Sequence, residues 1–402
     1  MHLINLKSIL LLNNMENKIK DLSIYIHWPF CSKKCPYCDF NSHASDRAIN
    51  YKDWEKAYKH EIQIEQYRLG KKNIKSIFFG GGTPSLMPSS LIESIILNIS
   101  RKWNVTKNTE ITVEANPSSF EIRNFINLAK SGVNRISLGL QSLNDTSLKF
   151  LGRNHNVKDG LKALESAKKY FNRVSFDLIY GLPGQNESSW ELELKKAIKL
   201  SGEHMSAYQL TIEKGTPFYA LHRDKKIILP KEKTLFNLYN ITDVLLREAH
   251  LIKYEVSNYS LKNSESIHNV KIWEGSEYCG IGPGAHGRIK IKNKWRATYR
   301  NPSPKIWLTN NLEKKSSLYR DDKITSLERA QEILLTNLRL TKGLKIKALL
   351  KIANADKIES FLNLDNCEML KDQGFIEMNS SIIKITDKGF PVLNSLLSKI
   401  IL

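Results

Sequence analysis

Three of the five cysteines in this 402-residue chain lie within eight residues of one another, at Cys31, Cys35 and Cys38. Sites rich in thiolates select zinc or an iron–sulfur cluster. Structural zinc takes four protein ligands, usually from two CxxC pairs, and the sequence holds no second pair. Three thiolates suit three irons of a [4Fe-4S] cube and leave the fourth iron open to a bidentate ligand. The spacing therefore predicts an iron–sulfur cluster on these three cysteines.

The other two cysteines, Cys279 and Cys367, stand alone in strand-like and helix-like surroundings. We expect both to be buried core thiols. An odd number of cysteines, three of them crowded together, does not form a disulfide framework and is typical of a reducing compartment. This usage favours a cytoplasmic protein.

The start of the chain carries only a short apolar run, Ile9 to Leu12. Such a run is far too short to span a bilayer and weak as the core of a signal peptide. We expect no transmembrane segment and interpret residues 1–21 as a flexible extension. The sequence leaves open whether translation starts at Met1 or Met15.

The formal charge of +20 comes from lysines spread along the whole chain. A solvated basic surface explains this spread, and attraction to nucleic acid, to an anionic membrane surface or to a carboxylate-bearing small molecule is the alternative. Arginine-rich blocks interleaved with aromatic residues are absent, so nucleic acid is the unfavoured partner. A transient contact with a membrane surface stays open.

From Leu22 to Thr211, short strand-like runs alternate with longer amphipathic runs, which predicts a parallel sheet with crossover helices. Six such units suit an α/β fold of the partial (β/α)6 barrel type. Ligands of these sheets bind at the carboxyl ends of the strands. The predicted strands are 22–27, 76–79, 110–115, 135–140, 174–180 and 205–210.

Polar or glycine residues follow or end most of these strands, and we expect them to meet at one rim of the sheet. They are Cys31, the run from Gly80 to Thr83, Glu114, Gln141, the run from Gly181 to Pro183, and Asp177 within the fifth strand.

Beyond Thr211 the pattern changes to a helix at 234–250 and a glycine-rich segment at 280–287. A helix at 326–340 and a hairpin at 375–378 and 382–385 then predict a winged-helix-like α+β domain. We place the boundary near Asn310, which gives a core of residues 22–310 and a C-terminal domain of residues 311–402.

The cysteine motif directly after a first strand resembles the signature of the radical S-adenosylmethionine (SAM) superfamily, whose fold is a six-stranded partial barrel. The run Gly80-Gly81-Gly82-Thr83 is similar to the glycine motif of that superfamily. The resemblance implies a [4Fe-4S] cluster on the three cysteines, with SAM at its open iron. It also implies contacts with SAM or the cluster by Tyr25, Tyr37, Gly81, Gly82 and Thr83.

Four further residues, Glu114, Gln141, Arg153 and Asp177, match motifs of one subfamily, the oxygen-independent coproporphyrinogen III oxidases and the heme chaperones called HemW. The resemblance implies that these residues hold SAM. Carboxylates suit ribose hydroxyls and an ammonium, and arginine suits the methionine carboxylate. We expect Arg153 and Asp177 to act on SAM rather than on the cluster, since they match positions away from the cysteine loop. His286, in the glycine-rich segment, is expected near the same rim.

Phe40 stands where the oxidases resembled here carry an additional cysteine, and the chain lacks their long N-terminal arm. The run from His268 to Trp273 resembles the HNxxYW element of the chaperones, with Ile272 in place of the tyrosine. We therefore expect a heme chaperone that passes heme to recipient hemoproteins, with His268 and Trp273 as its heme contacts.

Two other interpretations stay open. One is a coproporphyrinogen oxidase of porphyrin biosynthesis, in which an electron donor and SAM yield a 5′-deoxyadenosyl radical that starts propionate decarboxylation. The other is a radical SAM enzyme acting on tRNA, which the basic charge and the winged-helix-like end motivate. The residues favour the chaperone without oxidase activity.

Overall fold

The computed structural model describes residues 19–44 and 48–402. Residues 1–18 of the expected extension lie outside the described residues. The first strand begins at Lys20, so Lys20 and Asp21 belong to the sheet. Within the described ranges, no helix is both long enough and apolar enough to cross a membrane.

The strands form one large sheet and two small ones. The six predicted strands are all present, as β1 and as β4 to β8. In chain order the strands are β1 Lys20–Trp28, β2 Phe30–Cys31, β3 His43–Ala44, β4 Lys72–Gly81, β5 Glu110–Ala115, β6 Arg135–Gln141, β7 Arg173–Tyr180, β8 His204–Gln209, β9 Ile252–Lys253, β10 Asn258–Ser260, β11 Tyr278–Ile281, β12 His286–Ile291, β13 Lys294–Arg300, β14 Leu318–Ile324, β15 Leu344–Lys345, β16 Ile376–Met378 and β17 Ile382–Ile385.

The helices connect the parallel strands and build the C-terminal part of the molecule. In chain order they are α1 Tyr51–Leu69, α2 Ser89–Ser100, α3 Ser119–Lys130, α4 Asp145–Phe150, α5 Val157–Tyr170, α6 Glu187–Leu200, α7 Pro217–Arg223, α8 Glu232–Glu248, α9 Ile267–Trp273, α10 Pro304–Leu312, α11 Ser326–Asn337, α12 Ile346–Ala353, α13 Leu364–Asp372 and α14 Leu393–Ile400.

The large sheet has the order β14-β13-β12-β11-β1-β4-β5-β6-β7-β8-β10-β9. Strands β1, β4, β5, β6, β7 and β8 pair in parallel, and β11 joins β1 in parallel on the other side. The antiparallel strands β10 and β12 to β14 extend the two ends. The sheet is open, as the predicted partial barrel requires.

The two faces of the parallel strands differ in polarity. Successive side chains of a strand point to opposite faces. In β1, Ile24 and Ile26 are fully buried in the hydrophobic core, whereas Tyr25 is partly exposed. The register aligns the polar positions across the neighbouring strands, with Glu114 opposite Ser137 and Asp177 opposite Ser206. One face of the sheet therefore packs on the helices, and the other presents polar groups.

The C-terminal part has a second hydrophobic core, which begins at Ala330 and ends at Ile400. It is enclosed by α11 to α14 and by a three-stranded sheet of order β15-β17-β16. This arrangement confirms the predicted C-terminal α+β domain. Strand β14 still belongs to the large sheet, and we therefore propose that the boundary lies near Thr325 rather than near Asn310.

Candidate cofactor site

The cysteine loop connects β2 and β3 at the carboxyl end of β1. Cys31, Cys35 and Cys38 are all unpaired and partly buried, and they line one cavity of about 350 Å³, which we call the first cavity. In the described residues, no three His, Cys, Asp or Glu side chains converge as ligands of a single metal ion. Thiolates that each bind a different iron of a cube need not converge in this way.

The glycine run at the end of β4 is bonded to the cysteine loop through the backbone. The N–H of Gly82 donates to the carbonyl of Trp28 at 2.7 Å, and the N–H of Thr83 donates to that of Phe30 at 2.8 Å. Gly81 has a φ of 111°, and a Cβ at this position would lie 2.5 Å from the His27 ring. Only glycine fits this conformation and this close approach.

The far end of the loop is held by Asn41. Its amide Nδ2 donates to the carbonyls of Pro283 at 3.1 Å and Pro302 at 3.0 Å, so the loop is tied to the segments around β12 and β13. The Asn41 carbonyl lies 2.9 Å from Nε2 of His27, so this nitrogen carries the proton. Nδ1 of His27 then accepts from the Tyr25 hydroxyl at 3.0 Å. Burial lowers the pKa of His27 to about 4, which keeps the ring neutral.

Arg153 is the most extensively bonded cation of the first cavity. It donates from Nη2 to the carbonyl of Gly139 at 2.9 Å and to Oδ1 of Asn116, and from Nη1 to Sγ of Cys35 at 3.4 Å and to the Tyr37 hydroxyl at 3.5 Å. Its Nε is buried and has no partner in the described residues. Contrary to our expectation, Arg153 touches the cysteine loop, because Leu151 and Gly152 turn the chain back against Pro36.

Asn116 and Glu121 support this side of the first cavity, and neither was predicted as a site residue from the sequence. The Asn116 amide donates to Oγ1 of Thr83 at 3.0 Å and accepts from Arg153. Glu121 accepts from the Asn116 N–H at 2.7 Å and from the Ser118 hydroxyl at 3.1 Å. Burial raises the pKa of Glu121 to about 7. The available signal was a carboxylate in the first turn of an amphipathic helix, three residues after the N-cap Ser118.

Glu114 and Asp177 reach the first cavity from β5 and β7. Burial, and then their mutual repulsion, raises the pKa of Glu114 to about 8. Burial also raises the pKa of Asp177 to about 6, against the opposing effect of the nearby Ser206 and Ser137 hydroxyls. The two carboxyls therefore hold at least one proton between them near neutral pH.

Gln141 ends β6 with a φ of 69°, in the left-handed region that non-glycine residues seldom adopt. The strand register shifts at this point, so the side chain enters the first cavity. Most of the predicted site residues therefore meet in one place. The predicted residues that line the first cavity are Cys31, Cys35, Tyr37, Cys38, Gly81, Gly82, Thr83, Glu114, Gln141, Arg153 and Asp177.

A second cavity of about 540 Å³ lies next to the first and is lined by three of the four other candidates, Tyr25, His268 and His286. Tyr25 and His286, which we expected beside SAM, line this second cavity and not the first. His286 stacks on Tyr299 with ring centroids 4.2 Å apart. The residues that line both cavities are Phe40, Gly81, Glu114, Ser137, Asp177 and Tyr208.

His268 belongs to the second cavity and is held in one tautomer. The Ser76 hydroxyl donates to Ser23 at 2.9 Å, so it accepts from Nδ1 of His268 at 2.8 Å. Nε2 of His268 then carries a lone pair and has no hydrogen-bond partner in the described residues. Burial lowers the pKa of His268 to about 3, and its ring stacks on Phe78 at 4.7 Å.

Helix α9, which carries His268, is fixed by a carboxylate on the neighbouring sheet. Oε1 of Glu110 accepts from the N–H of His268 at 2.9 Å, and its Oε2 accepts from that of Ile267 at 3.1 Å. His268, Asn269 and Ile272 line the second cavity. The isoleucine that departs from the HNxxYW pattern thus forms part of the cavity wall.

Trp273 does not join His268 in that cavity. Five residues along a helix correspond to a rotation of about 140°, so the two side chains leave α9 in different directions. Trp273 faces the C-terminal domain, where the Arg339 guanidinium lies 5.6 Å from its ring centroid and Asn337 bonds its carbonyl at 2.9 Å.

An open parallel sheet with a three-cysteine loop after its first strand, beside a glycine turn, defines a radical SAM protein. The family model described as the radical SAM superfamily matches residues 25–197, and that described as the HemN C-terminal domain matches residues 324–392. Proteins of this class bind a [4Fe-4S] cluster and SAM. The three partly buried thiols and the unpartnered Nε of Arg153 fit such a pair of cofactors.

The chain is 37% identical over 377 residues to a protein of Buchnera aphidicola subsp. Acyrthosiphon pisum named heme chaperone HemW, with 94% of this chain and 97% of that relative covered. It is 33% identical to radical S-adenosyl methionine domain-containing protein 1, mitochondrial, of Dictyostelium discoideum, with 96% of each chain covered. The chain therefore belongs to the HemW family.

Among solved structures, the coproporphyrinogen III oxidase HemN of Escherichia coli matches with a TM-score of 0.80. The match covers 94% of this chain and 90% of that one, at 20% identity. At this identity the likeness shows the fold alone.

Proposed function

We propose that this protein is a heme chaperone, which binds heme and transfers it to recipient hemoproteins while carrying a [4Fe-4S] cluster and SAM. The observation that carries the proposal is His268, whose Nδ1 is held by Ser76 while Nε2 keeps its lone pair in an aromatic-lined cavity. Neutral imidazole is a good ligand of heme iron. The names of the relatives support the same conclusion.

For the cofactors, we propose that Cys31, Cys35 and Cys38 ligate the cluster and that SAM occupies the first cavity. Arg153 would bind the methionine carboxylate through its unpartnered Nε, and the Glu114 and Asp177 carboxyls would bind the ammonium and ribose groups. A bound cluster would supply an electron to SAM once it had been reduced by an electron donor. The residues of the cavity bind and orient SAM and shield it from water.

The test of heme binding is an anaerobic titration of the full chain, reconstituted with cluster, followed by absorption spectroscopy. We expect about one heme per chain, and His268→Ala should weaken binding or shift the Soret band. Cluster content and SAM affinity should stay unchanged, because His268 lines only the second cavity. His222→Ala, which removes an exposed histidine on α7, is the matched control.

The oxidase interpretation is tested separately, with coproporphyrinogen III, SAM and a reductant under anaerobic conditions. We expect no protoporphyrinogen. The oxidases resembled above carry a further cysteine where this chain has Phe40, which is 58% exposed and lines both cavities. Robust product formation would overturn the chaperone proposal whatever the heme titration gave.

The partners that follow from this proposal are heme, recipient hemoproteins and, if SAM is cleaved, an electron donor. The cytoplasm is the proposed location, because iron–sulfur ligands require reduced cysteines. All five cysteines of the chain are free thiols.

A further inference from the structure

Arg135 is a buried cation in the second cavity, and no described residue accepts a hydrogen bond from it. Only 3% of the residue is exposed, and it lines this cavity from β6. None of its five N–H donors makes a hydrogen bond to another described residue. The one carboxylate within 4.0 Å of it there is Glu110, whose Oε2 lies 4.0 Å from Nε. That separation is too long for a hydrogen bond.

The neighbouring Arg173 is bonded although its side chain is more exposed, at 24% against 4% for Arg135, so the polarity of the region does not by itself explain Arg135. Arg173, its register partner on β7, donates to Glu110 at 2.6 Å, to Glu203 at 3.3 Å and to two carbonyls. Glu110 is thus already occupied by Arg173 and by two N–H groups of α9. It has little capacity left for Arg135.

Glu114 and Asp177 line the same cavity as Arg135, and they must be counted in its charge balance. Burial raises the pKa of Glu114 to about 8, so this carboxyl is largely neutral at pH 7. Burial raises the pKa of Asp177 to about 6, and the nearby hydroxyls of Ser206 and Ser137 oppose that rise. Neither carboxyl comes within 4.0 Å of the guanidinium.

A guanidinium cannot lose its proton in a protein, and unpaired donors in a buried site cost free energy. A carboxylate is the ligand group that matches the planar fork of arginine, because it can accept two parallel hydrogen bonds. We propose that Arg135 binds a carboxylate of the ligand in the second cavity, and that this ligand is heme held through one propionate. The proposal rests on the chaperone function proposed above.

The alternative source of a carboxylate is SAM. Its methionine carboxylate has a separate candidate partner in Arg153, which lines the first cavity only. We therefore assign the methionine carboxylate of SAM to Arg153 in the first cavity and the heme propionate to Arg135 in the second cavity. This division predicts that variants at Arg135 change heme binding and leave SAM binding unchanged.

The first experiment needs no variant. Reconstituted wild-type protein is titrated with heme and with heme dimethyl ester, in which both propionates are blocked. We expect the ester to bind about ten- to a hundredfold more weakly, the effect of losing one charge-assisted pair. Equal affinities would overturn the Arg135 assignment and leave the chaperone proposal standing. If neither heme nor its dimethyl ester bound, both the Arg135 assignment and the chaperone proposal would be overturned.

The second experiment repeats both titrations with Arg135→Met and Arg135→Lys. Arg135→Met should bind heme and the ester about equally, because the group that distinguishes them is gone. Arg135→Lys should keep part of the preference, since it retains the charge without the fork. Arg101→Met, at an exposed position after α2, is the control for the loss of one positive charge. SAM affinity falling in place of heme affinity would overturn the propionate assignment.

Discussion

The two adjoining cavities share a wall but are built from different parts of the sequence. The first cavity is formed by loops and strand ends, and its cation Arg153 makes four hydrogen bonds to the cavity lining. The second is formed by the inward face of the strands and by α9, and its cation Arg135 makes none within the described residues. Arg153 retains one buried donor without a partner there, its Nε. The guanidinium of Arg135 approaches no described carboxylate more closely than the 4.0 Å to Glu110.

This difference indicates how each site depends on its ligand. Mutual hydrogen bonds among Arg153, Asn116, Thr83 and Glu121 hold the first cavity in shape before any ligand enters. In the second cavity no described residue accepts a hydrogen bond from the guanidinium of Arg135, so an incoming acceptor would supply one. We therefore expect ligand binding to stabilise the second cavity more than the first.

The largest effect should come from Cys31→Ala, which removes one of three candidate cluster ligands from the first cavity. We expect loss of the stable cube, since two thiolates cannot hold three irons. Iron content and the EPR spectrum after anaerobic reconstitution measure it. Cys367→Ala, which removes a buried thiol of the C-terminal domain, is the control and should keep the cluster. A full, stable cube in Cys31→Ala would refute the ligand assignment.

The next effect concerns Arg153→Ala. We expect SAM affinity to fall about ten- to a hundredfold, the equivalent of about 1.5–3 kcal/mol for a lost charge-assisted hydrogen bond. Because Nη1 also donates to Sγ of Cys35, the reduction potential of the cluster should become more negative. Isothermal titration and EPR-monitored redox titration measure the two quantities, with Arg101→Ala as control. Unchanged SAM affinity would contradict the role of Arg153.

The sequence predicted the first cavity well because its residues occur in contiguous motifs. The cysteine loop, the glycine run before Thr83 and the strand-end residue Glu114 each stand out within a few positions. The six parallel strands and the C-terminal domain were likewise visible from local pattern. What the motifs could not reveal was the turn that brings Arg153 back against Pro36, since this contact joins residues more than a hundred positions apart.

The second cavity was largely missed, for a related reason. Its residues appear as isolated polar positions, one per strand, and only the register brings them together. Arg135 and Ser137 alternate with apolar residues in β6, and such alternation shows that one face is polar without telling which strands meet. The spacing of His268 and Trp273 within one motif suggested a common role, and the helical rotation between them separates the two side chains.

A smaller effect is expected at Glu114, which lines both cavities. The stability of the protein without SAM should depend on pH through this carboxyl. The pKa of Glu114 is raised to about 8, so the folded state keeps a proton that the unfolded chain loses near pH 4.5. Stability should therefore fall as pH rises from about 4.5 to about 8. Glu114→Gln should remove roughly 1–2 kcal/mol of this pH-dependent loss of stability. The value is smaller than the full pKa shift would give, because the carboxyl faces a cavity.

The measurement is the melting temperature of Glu114→Gln relative to wild type between pH 5 and pH 8.5. The gap in favour of the variant should widen as pH increases. Glu165→Gln, at an exposed position on α5, is the control and should give a constant difference. A gap that stays flat, or that narrows with pH, would show that Glu114 does not keep its proton in the folded protein.

The smallest expected effect separates the two faces of α9. Trp273 contacts Arg339 and the C-terminal domain, so Trp273→Ala should cost about 1 kcal/mol of stability through the lost cation–π contact. Heme affinity should change by no more than about twofold, because the side chain lies outside the second cavity. His268→Ala, on the same helix, provides the comparison for heme affinity. Thermal unfolding and heme titration of both variants measure the two effects. Equal losses of heme affinity in the two variants would contradict the placement of His268 at the second cavity and of Trp273 at the C-terminal domain.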